Sequence, residues 1–410
     1  MNAGRIFAEI GSGVNTGVAV ANPNAQPVTL TFYATSSDGT NFNAGFTVIP
    51  ANAQIAAFLD QTPFIAPGTI PASLTNARTF TFSSSLPVSI VALRGRTNER
   101  EEFLLTTLPV TEINSTKQSP LIFPHFADGE GWTTQVNLVN QFDETLTGTI
   151  QFFSKGSATS SGQVTAITAN GTTATSFDYT IAPRSSFKLA TGGLDTVVNS
   201  GSVRVLPSGG MQAPSGLVVF SYRNAGVTVA ESGVPALPSA STFRLYAEAS
   251  GDFNAAAVGS IQTGFAIANP WFSPASVSFE LTTLDGTSTG LTGSAVVPAN
   301  GQIAMFLNQI DGFQSLPQSF RGLLRVSGSG IFVVGLRGRY NQRQDFLITT
   351  TSPVDEASLL TGAEYVFPHL ADGGGYTTQF ILYSGIANQT SSGSVRFFGQ
   401  LGQPLNLNLQ

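Results

Sequence analysis

The chain has no cysteine and, among 410 residues, two histidines and three lysines. The missing thiols exclude disulfide staples, thiol nucleophiles, thiolate metal sites and dithiol redox chemistry. They leave the compartment open, because domains above about 80 residues build a core without disulfides. Charged residues are only 10% of the chain, with a net charge of −6 and a pI near 5. So few cations cannot neutralise a row of phosphates, so no nucleic acid partner is expected, and anionic membranes fail on the same count. No run approaches 18 consecutive apolar residues, and the opening MNAGRIFAEIGSG lacks a basic stretch followed by an apolar one. The expectation is a chain with no transmembrane segment and no signal sequence of its own. What is present is apolar mass: 41% hydrophobic residues including 31 phenylalanines, enough for packed cores.

Internal repetition organises the sequence. TGVAVANP at 16–23 recurs as TGFAIANP at 263–270, and PANAQIAAFL at 50–59 recurs as PANGQIAMFL at 298–307. VALRGRTNEREEFLLTT at 91–107 recurs as VGLRGRYNQRQDFLITT at 334–350. This is unit A. A second unit, B, opens with FPHFADGEGWTTQVNLVN at 123–140 and again with FPHLADGGGYTTQFILYS at 367–384. A and B are distant relatives, each with an aromatic opening strand, a segment running from Thr through alternating apolar residues to Asn, an Arg-bearing strand and a Pro-containing tail. The expected organisation is A1 at 1–112, B1 at 119–238, A2 at 243–356 and an incomplete B2 at 362–410.

Within a unit, runs such as Val28-Thr-Leu-Thr-Phe-Tyr alternate apolar and polar at period two, the signature of half-buried strands. Asp38-Gly39 and Asp285-Gly286 follow such runs and predict hairpins. Helical periodicity is absent apart from a short turn at 302–307. About seven short strands in about 100 residues give an all-β fold of tandem antiparallel, immunoglobulin-like β-sandwiches. The long period argues against a propeller, whose blades repeat at about 40 to 50 residues, and against a β-helix.

FPHFADGEGWTTQ, LRGRYNQRQDFLITT and SGSVRFFGQLGQPL resemble tandem repeat segments of secreted multi-domain proteins from Acidobacteria-like soil bacteria. The resemblance covers nearly the whole chain. It implies export, β-sandwich structure and an extracellular or cell-surface setting, and it supplies no catalytic residues.

Candidate chemistry is sparse. His125 and His369 each precede an aspartate, Asp128 and Asp372, by three residues. One His and one Asp fall short of a metal site, so the economical reading is a structural turn, with a calcium-assisted loop at Asp128 as the alternative. No cofactor is expected. Trp132 and Tyr376, each followed by Thr-Thr-Gln, are either core covers at a strand start or a sugar-stacking platform. Arg94 and Arg96, repeated as Arg337 and Arg339, share a strand face. A hairpin turn then brings Arg100 and Glu102 back opposite them, giving cross-strand pairs on a solvent face, or else a surface for an anionic polysaccharide or partner. The glycine-rich Gly129–Gly131 and Gly373–Gly375 read as turns.

B2 is the oddity, since half a sandwich leaves an open edge. Three explanations stand: the reading frame is cut short, the half-unit docks against the third unit, or it pairs with another copy, joining molecules by strand addition through residues 362–410. The sequence thus leads to a non-enzymatic extracellular or cell-surface structural or adhesive repeat protein, with self or a surface polysaccharide as partner. A carbohydrate-binding module is the alternative.

Overall fold

The computed structural model describes residues 1–65, 72–116, 120–358, 364–384 and 389–407. It is all-β, with antiparallel pairing throughout the described strands and, among the described residues, two short 3-10 turns, Ala72–Asn76 and Leu307–Gln309. The expected turn at 302–307 is instead the strand Gln302–Phe306 leading into the second of these.

A1 divides into two sheets. The first runs Ala3–Phe7, Thr79–Ser84, Val28–Thr35, Asn41–Ile49, with Thr111–Glu112 outside Ala3–Phe7. The second runs Gln54–Phe58, Val14–Ala21, Ser89–Thr97, Phe103–Leu108. B1 repeats both orders: Leu121–Asp128, Asn199–Pro207, Leu146–Ser154, Phe177–Ile181, and Ser186–Ala190, Trp132–Val139, Ser215–Asn224, Val227–Pro235. In A2 one strand of 22 residues, Ser319–Tyr340, serves both sheets. Residues up to Ile331 pair with Ala240–Ser250, and those from Phe332 with Ile261–Ala268. Gly330 lies at the crossing with φ +61°, a left-handed conformation that strains any side chain. The strand order differs from the immunoglobulin arrangement in one respect: the opening strand neighbours the sixth, whereas an immunoglobulin sheet sets its first two strands side by side.

The hairpins at Asp38-Gly39 and Asp285-Gly286 form as the sequence predicts, with both glycines at φ near +87°. The Asp38 carboxylate accepts from Thr40 N and Ser36 Oγ. Glu130-Gly131 is a two-residue turn closed by reciprocal Gly129–Trp132 bonds, with both φ values positive.

Each core is filled from both sheets. In A1, Leu30, Phe32, Phe80 and Phe82 meet Val18, Val20 and Ala92. In B1, Phe123, Ile150 and Phe152 meet Val136, Leu138 and Phe220. In A2, Phe279 and Leu324 meet Phe265 and Val333. Burying each such side chain contributes about 1.5–3 kcal/mol. Val28–Thr35 of the first A1 sheet alternates, with Val28, Leu30 and Phe32 buried and Thr29 and Thr31 exposed. In the second sheets of B1 and A2, by contrast, Ser215–Phe220 is buried at every position, and so is Ile331–Leu336. Their outer faces join neighbouring units, since Leu217 and Val219 of B1 enter the A1 core while Val334, Leu336 and Ile348 of A2 enter the B1 core.

One buried asparagine recurs in every complete unit. Asn22 Nδ2 donates to the carbonyls of Gln26, Ile49 and Pro50. Asn140 does the same to Glu144, Ile181 and Ala182, and Asn269 to Ser273, Val297 and Pro298. Each Oδ1 accepts the amide two residues on, at Asn24, Phe142 and Trp271. The side chain therefore ties the end of one second-sheet strand to a turn some 30 to 40 residues later. A threonine latch recurs too: Thr16, Thr134 and Thr378 hydroxyls bridge the backbone of Glu9, Ala127 and Ala371, seven residues earlier.

Replacing Asn269 with Ala strands buried carbonyls and should cost about 3 kcal/mol in urea unfolding. Asn269→Asp should cost more, because it turns an acceptor toward those carbonyls. A loss below about 0.5 kcal/mol in both would show that the corner does not depend on this side chain.

Candidate functional site at the junctions between units

The asparagine-held turn carries a left-handed residue in each unit, Asn52, Arg184 and Asn300, and this turn docks on the preceding unit. The B1 turn meets A1: Ser185 Oγ donates to Ser36 O, Arg184 Nη2 to Gly39 O and Ser186 Oγ to Arg78 O. The A2 turn meets B1: Gln302 N donates to Lys155 O at 2.9 Å, Gly162 N to Ala299 O, and Arg204 to Asn300. The A1 turn meets B2: Gln54 N donates to Gln400 O at 3.1 Å. Gln54 and Gln302 occupy the same place in the A repeat, and Lys155 and Gln400 the same place in B, so these two contacts are one junction used twice. The junction from A to the following B is also used twice, since Arg5 donates to Asn140 O and its counterpart Arg244 donates to Ser384 O. The units therefore follow one another in a closed ring, A1, B1, A2, B2 and back to A1.

The arginines pair across this ring. Arg94 is 4% exposed, with Nη1 2.6 Å from Glu9 Oε2 and Nε 3.2 Å from Glu231 Oε2 of B1. Arg96 reaches Glu231, Glu99 and the Thr228 hydroxyl. Opposite Arg94 and Arg96 in the sheet stand Thr106 and Leu104, so the expected local pairing with Arg100 and Glu102 is replaced by pairing between units. Burial works to raise the Glu9 carboxyl, but Arg94 and Lys188 of B1 outweigh it and hold its pKa below the usual range.

Arg100 and Glu102 lie in the loop after that strand and cross to the other A unit. Arg100 Nη2 is 2.8 Å from Asp345 Oδ2, and Arg343 is 3.5 Å from Glu102. Since Arg343 repeats Arg100 and Asp345 repeats Glu102, the exchange is reciprocal, the relation a two-fold axis imposes. Asn224 of B1 adds a bond to Asp345. Burial raises the Asp345 carboxyl less than bonds from Arg100, Asn224 and Asn341 lower it, so the net pKa is depressed.

The junction from B1 to A2 is aromatic. Trp132 stacks on Tyr222 at 4.6 Å and meets Phe220 and Phe346. Phe346 also contacts Phe253, Phe306 and Tyr340. Tyr376, its counterpart in B2, is 61% exposed. In A2, Arg337 pairs with Glu248, while no acid lies within ion-pair distance of Arg339 among the described residues. His125 sits in the same B1–A2 junction, where Gln302 Nε2 lies 3.1 Å from Nδ1 and Phe220 packs edge-on. Desolvation pulls its pKa to about 4. Asp128 is buried and accepts Gly193 N, whereas His369 and Asp372 are exposed. Among the described residues no group of three or more His, Asp or Glu is placed to hold a metal ion. The depressions are shallow, about 220 Å³ over Ser278, Glu280 and Arg325 and about 370 Å³ over Thr31, Tyr33 and Thr81.

No protein-family model matches the chain, and neither curated proteins nor solved structures give a match. Sequence reasoning missed Glu9, Glu231 and Glu248. The first and last follow an Ala in the same place of A1 and A2, a signal available in the repeat, while Glu231 has no counterpart acid in A.

Three outcomes follow from this chemistry. Arg94→Ala removes the buried guanidinium that Glu9 and Glu231 share, leaving them Lys188 and Arg96 alone, and should cost about 3 kcal/mol. Arg343→Ala, which removes a largely exposed partner, should cost under about 1 kcal/mol, both read by urea unfolding. For His125 the folded pKa lies below the unfolded value of 6.5, so between those values the unfolded chain binds more protons. Its contribution is complete above pH 6.5 and is lost as pH falls toward about 4, by up to about 3 kcal/mol. His125→Gln should flatten stability against pH in that window. An unchanged slope would mean the imidazole titrates alike in both states.

Proposed function

We propose that the chain is a non-enzymatic structural element of the extracellular space or cell surface, in which sandwich units of about 100 residues, broadly immunoglobulin-like, close into a stiff ring. The observation that carries this reading is the double use of each junction, with Gln302–Lys155 repeated as Gln54–Gln400. Repetition that builds a closed body is what a scaffold or spacer needs. The ionisable groups are turned to the same end, since Arg94, Arg96, Arg100 and their acids bind unit to unit. The likeness to secreted bacterial repeats argues the same way.

Carbohydrate binding is the second reading, favoured by exposed aromatics. Tyr376, Trp271 and Phe272 stand out from the surface, Phe272 at 91% exposure. The stacking of Trp132 on Tyr222 and its contacts with Phe220 and Phe346 argue against that role for it. An array of glycans and cell-wall polysaccharides probed with the labelled chain separates the two. The scaffold reading expects no binding, together with a compact particle in small-angle scattering. Binding that falls at least tenfold in Tyr376→Ala or Trp271→Ala would replace the scaffold with a sugar-binding module.

A further inference from the structure

The two surface depressions are one place in two A units. In A1 the strand register sets Thr31 opposite Ser83 and Tyr33 opposite Thr81, and in A2 it sets Ser278 opposite Ser327 and Glu280 opposite Arg325. These residues line the depressions on the outer face of the first sheet. The opening strand extends each row by an arginine, since Arg5 is in register with Thr81 and Arg244 with Arg325.

The two rows balance their charge differently. In A2, Glu356 closes the row, with its carboxylate 2.7 Å from Arg244 Nε and 2.9 Å from Arg325 Nε. Glu356 follows Val354–Asp355 as Ile113 follows Thr111–Glu112, and these short strands pair alike, Val354 with Arg244 and Thr111 with Arg5. Ile113, which lines the A1 depression, therefore stands at the place of Glu356. Arg5 is 2% exposed, and no acid lies within ion-pair distance of it among the described residues. Its partners are neutral: Nε donates to Thr81 Oγ1 at 2.9 Å, Nη1 to Asn140 O at 2.8 Å and Nη2 to Tyr33 Oη at 3.5 Å. Asp143 acts on Arg5 only from a distance and is itself held by Arg184 at 2.8 Å. Burial outweighs these influences and lowers the Arg5 pKa. A buried cation left to neutral partners is costly, and in A2 the same fold meets that cost with a carboxylate.

We propose that the A1 depression binds an aliphatic carboxylate, seated where Glu356 stands in A2 and held by Arg5, Thr81 and Tyr33. Three acceptors serve the five guanidinium hydrogens of Arg5, which leaves donors for a ligand. The Thr81 and Tyr33 hydroxyls each accept from Arg5 and keep their own proton to donate. Ala44 and Ile113 line the same depression with hydrocarbon, which suits methylene groups behind the carboxylate. One buried cation matches one carboxylate. A free short-chain acid and a glutamate side chain of a second polypeptide share this chemistry. The site adds to the scaffold reading and does not rest on it.

Calorimetric titration of the intact chain with glutarate should show one site with a Kd of about 1 mM or tighter, and the uncharged glutaramide should show none. Ile113→Glu puts the carboxylate on the chain itself. It should raise Tm and weaken glutarate binding at least tenfold, whereas Ile113→Gln should do neither. Arg5→Gln should abolish binding, and the Ile113 pair keeps the test decisive where that variant fails to fold. A blocked Gly-Glu-Gly tripeptide separates the two sources. Binding at least tenfold tighter than glutarate assigns the site to a polypeptide side chain, and binding no tighter assigns it to a free acid. No heat with glutarate, equal heat with glutaramide, or glutarate binding that Ile113→Glu leaves unchanged overturns the proposal. So does an Ile113→Glu variant no more stable than Ile113→Gln.

Discussion

A single buried amide sets the geometry of each unit and of the ring. Asn22, Asn140 and Asn269 each end a strand of the second sheet and each bind the two carbonyls that open a distant turn. That turn is the element that docks on the preceding unit. An asparagine can do this because it offers two donors and an acceptor in one plane, whereas an aspartate would turn its own acceptors on the carbonyls. Fixing the corner inside a unit therefore fixes the angle at which the next contact is made. The same corner in three units gives the same contact around the ring, and closure needs only that the angle be repeated.

Docking then removes water from the second sheets on both faces. This explains why Gly216-Leu-Val-Val-Phe and Ile331-Phe-Val-Val-Gly-Leu are unbroken apolar runs while Val28–Thr35 alternates. It also explains where the few charges go. An arginine on such a sheet is desolvated, and it is tolerated only where carboxylates reach it from both sides, as Glu9 and Glu231 reach Arg94.

The repeat, the strands, the hairpin turns and the all-β class were all legible in the sequence, because each is local and set by period-two patterning and turn residues. The strand order was not, because nothing in a strand's own residues names its neighbour. The partners of Arg94, and the choice between core cover and sugar platform for Trp132, were not legible for a related reason. An R-G-R strand or an aromatic after a tight turn looks the same whether the space beside it holds water or another unit. The unbroken run at 216–220 was the available signal that the second sheet has two buried faces, and it bears directly on the arginines, which lie on strands of that sheet.

The alternation of A and B has its own chemical logic. A carries the R-G-R pair, where B has Ser221 and Arg223; B carries Glu231, where A has an apolar residue or threonine. The junction from A1 to B1 is therefore ionic, with Arg94 and Arg96 of A1 on Glu231 of B1 and Lys188 and Arg223 of B1 on Glu9 and Glu99 of A1. The junction from B to A is aromatic, with Trp132 and Tyr222 of B against Phe346 of A. Two A units side by side would leave Arg94 with Glu9 alone, and two B units would set Ser221 where Arg94 meets Glu231. Like units meet only across the ring, where Arg100 with Asp345 and Arg343 with Glu102 supply both signs from each side. Unit order is thus favoured by the buried ion pairs that the A1–B1 contact completes.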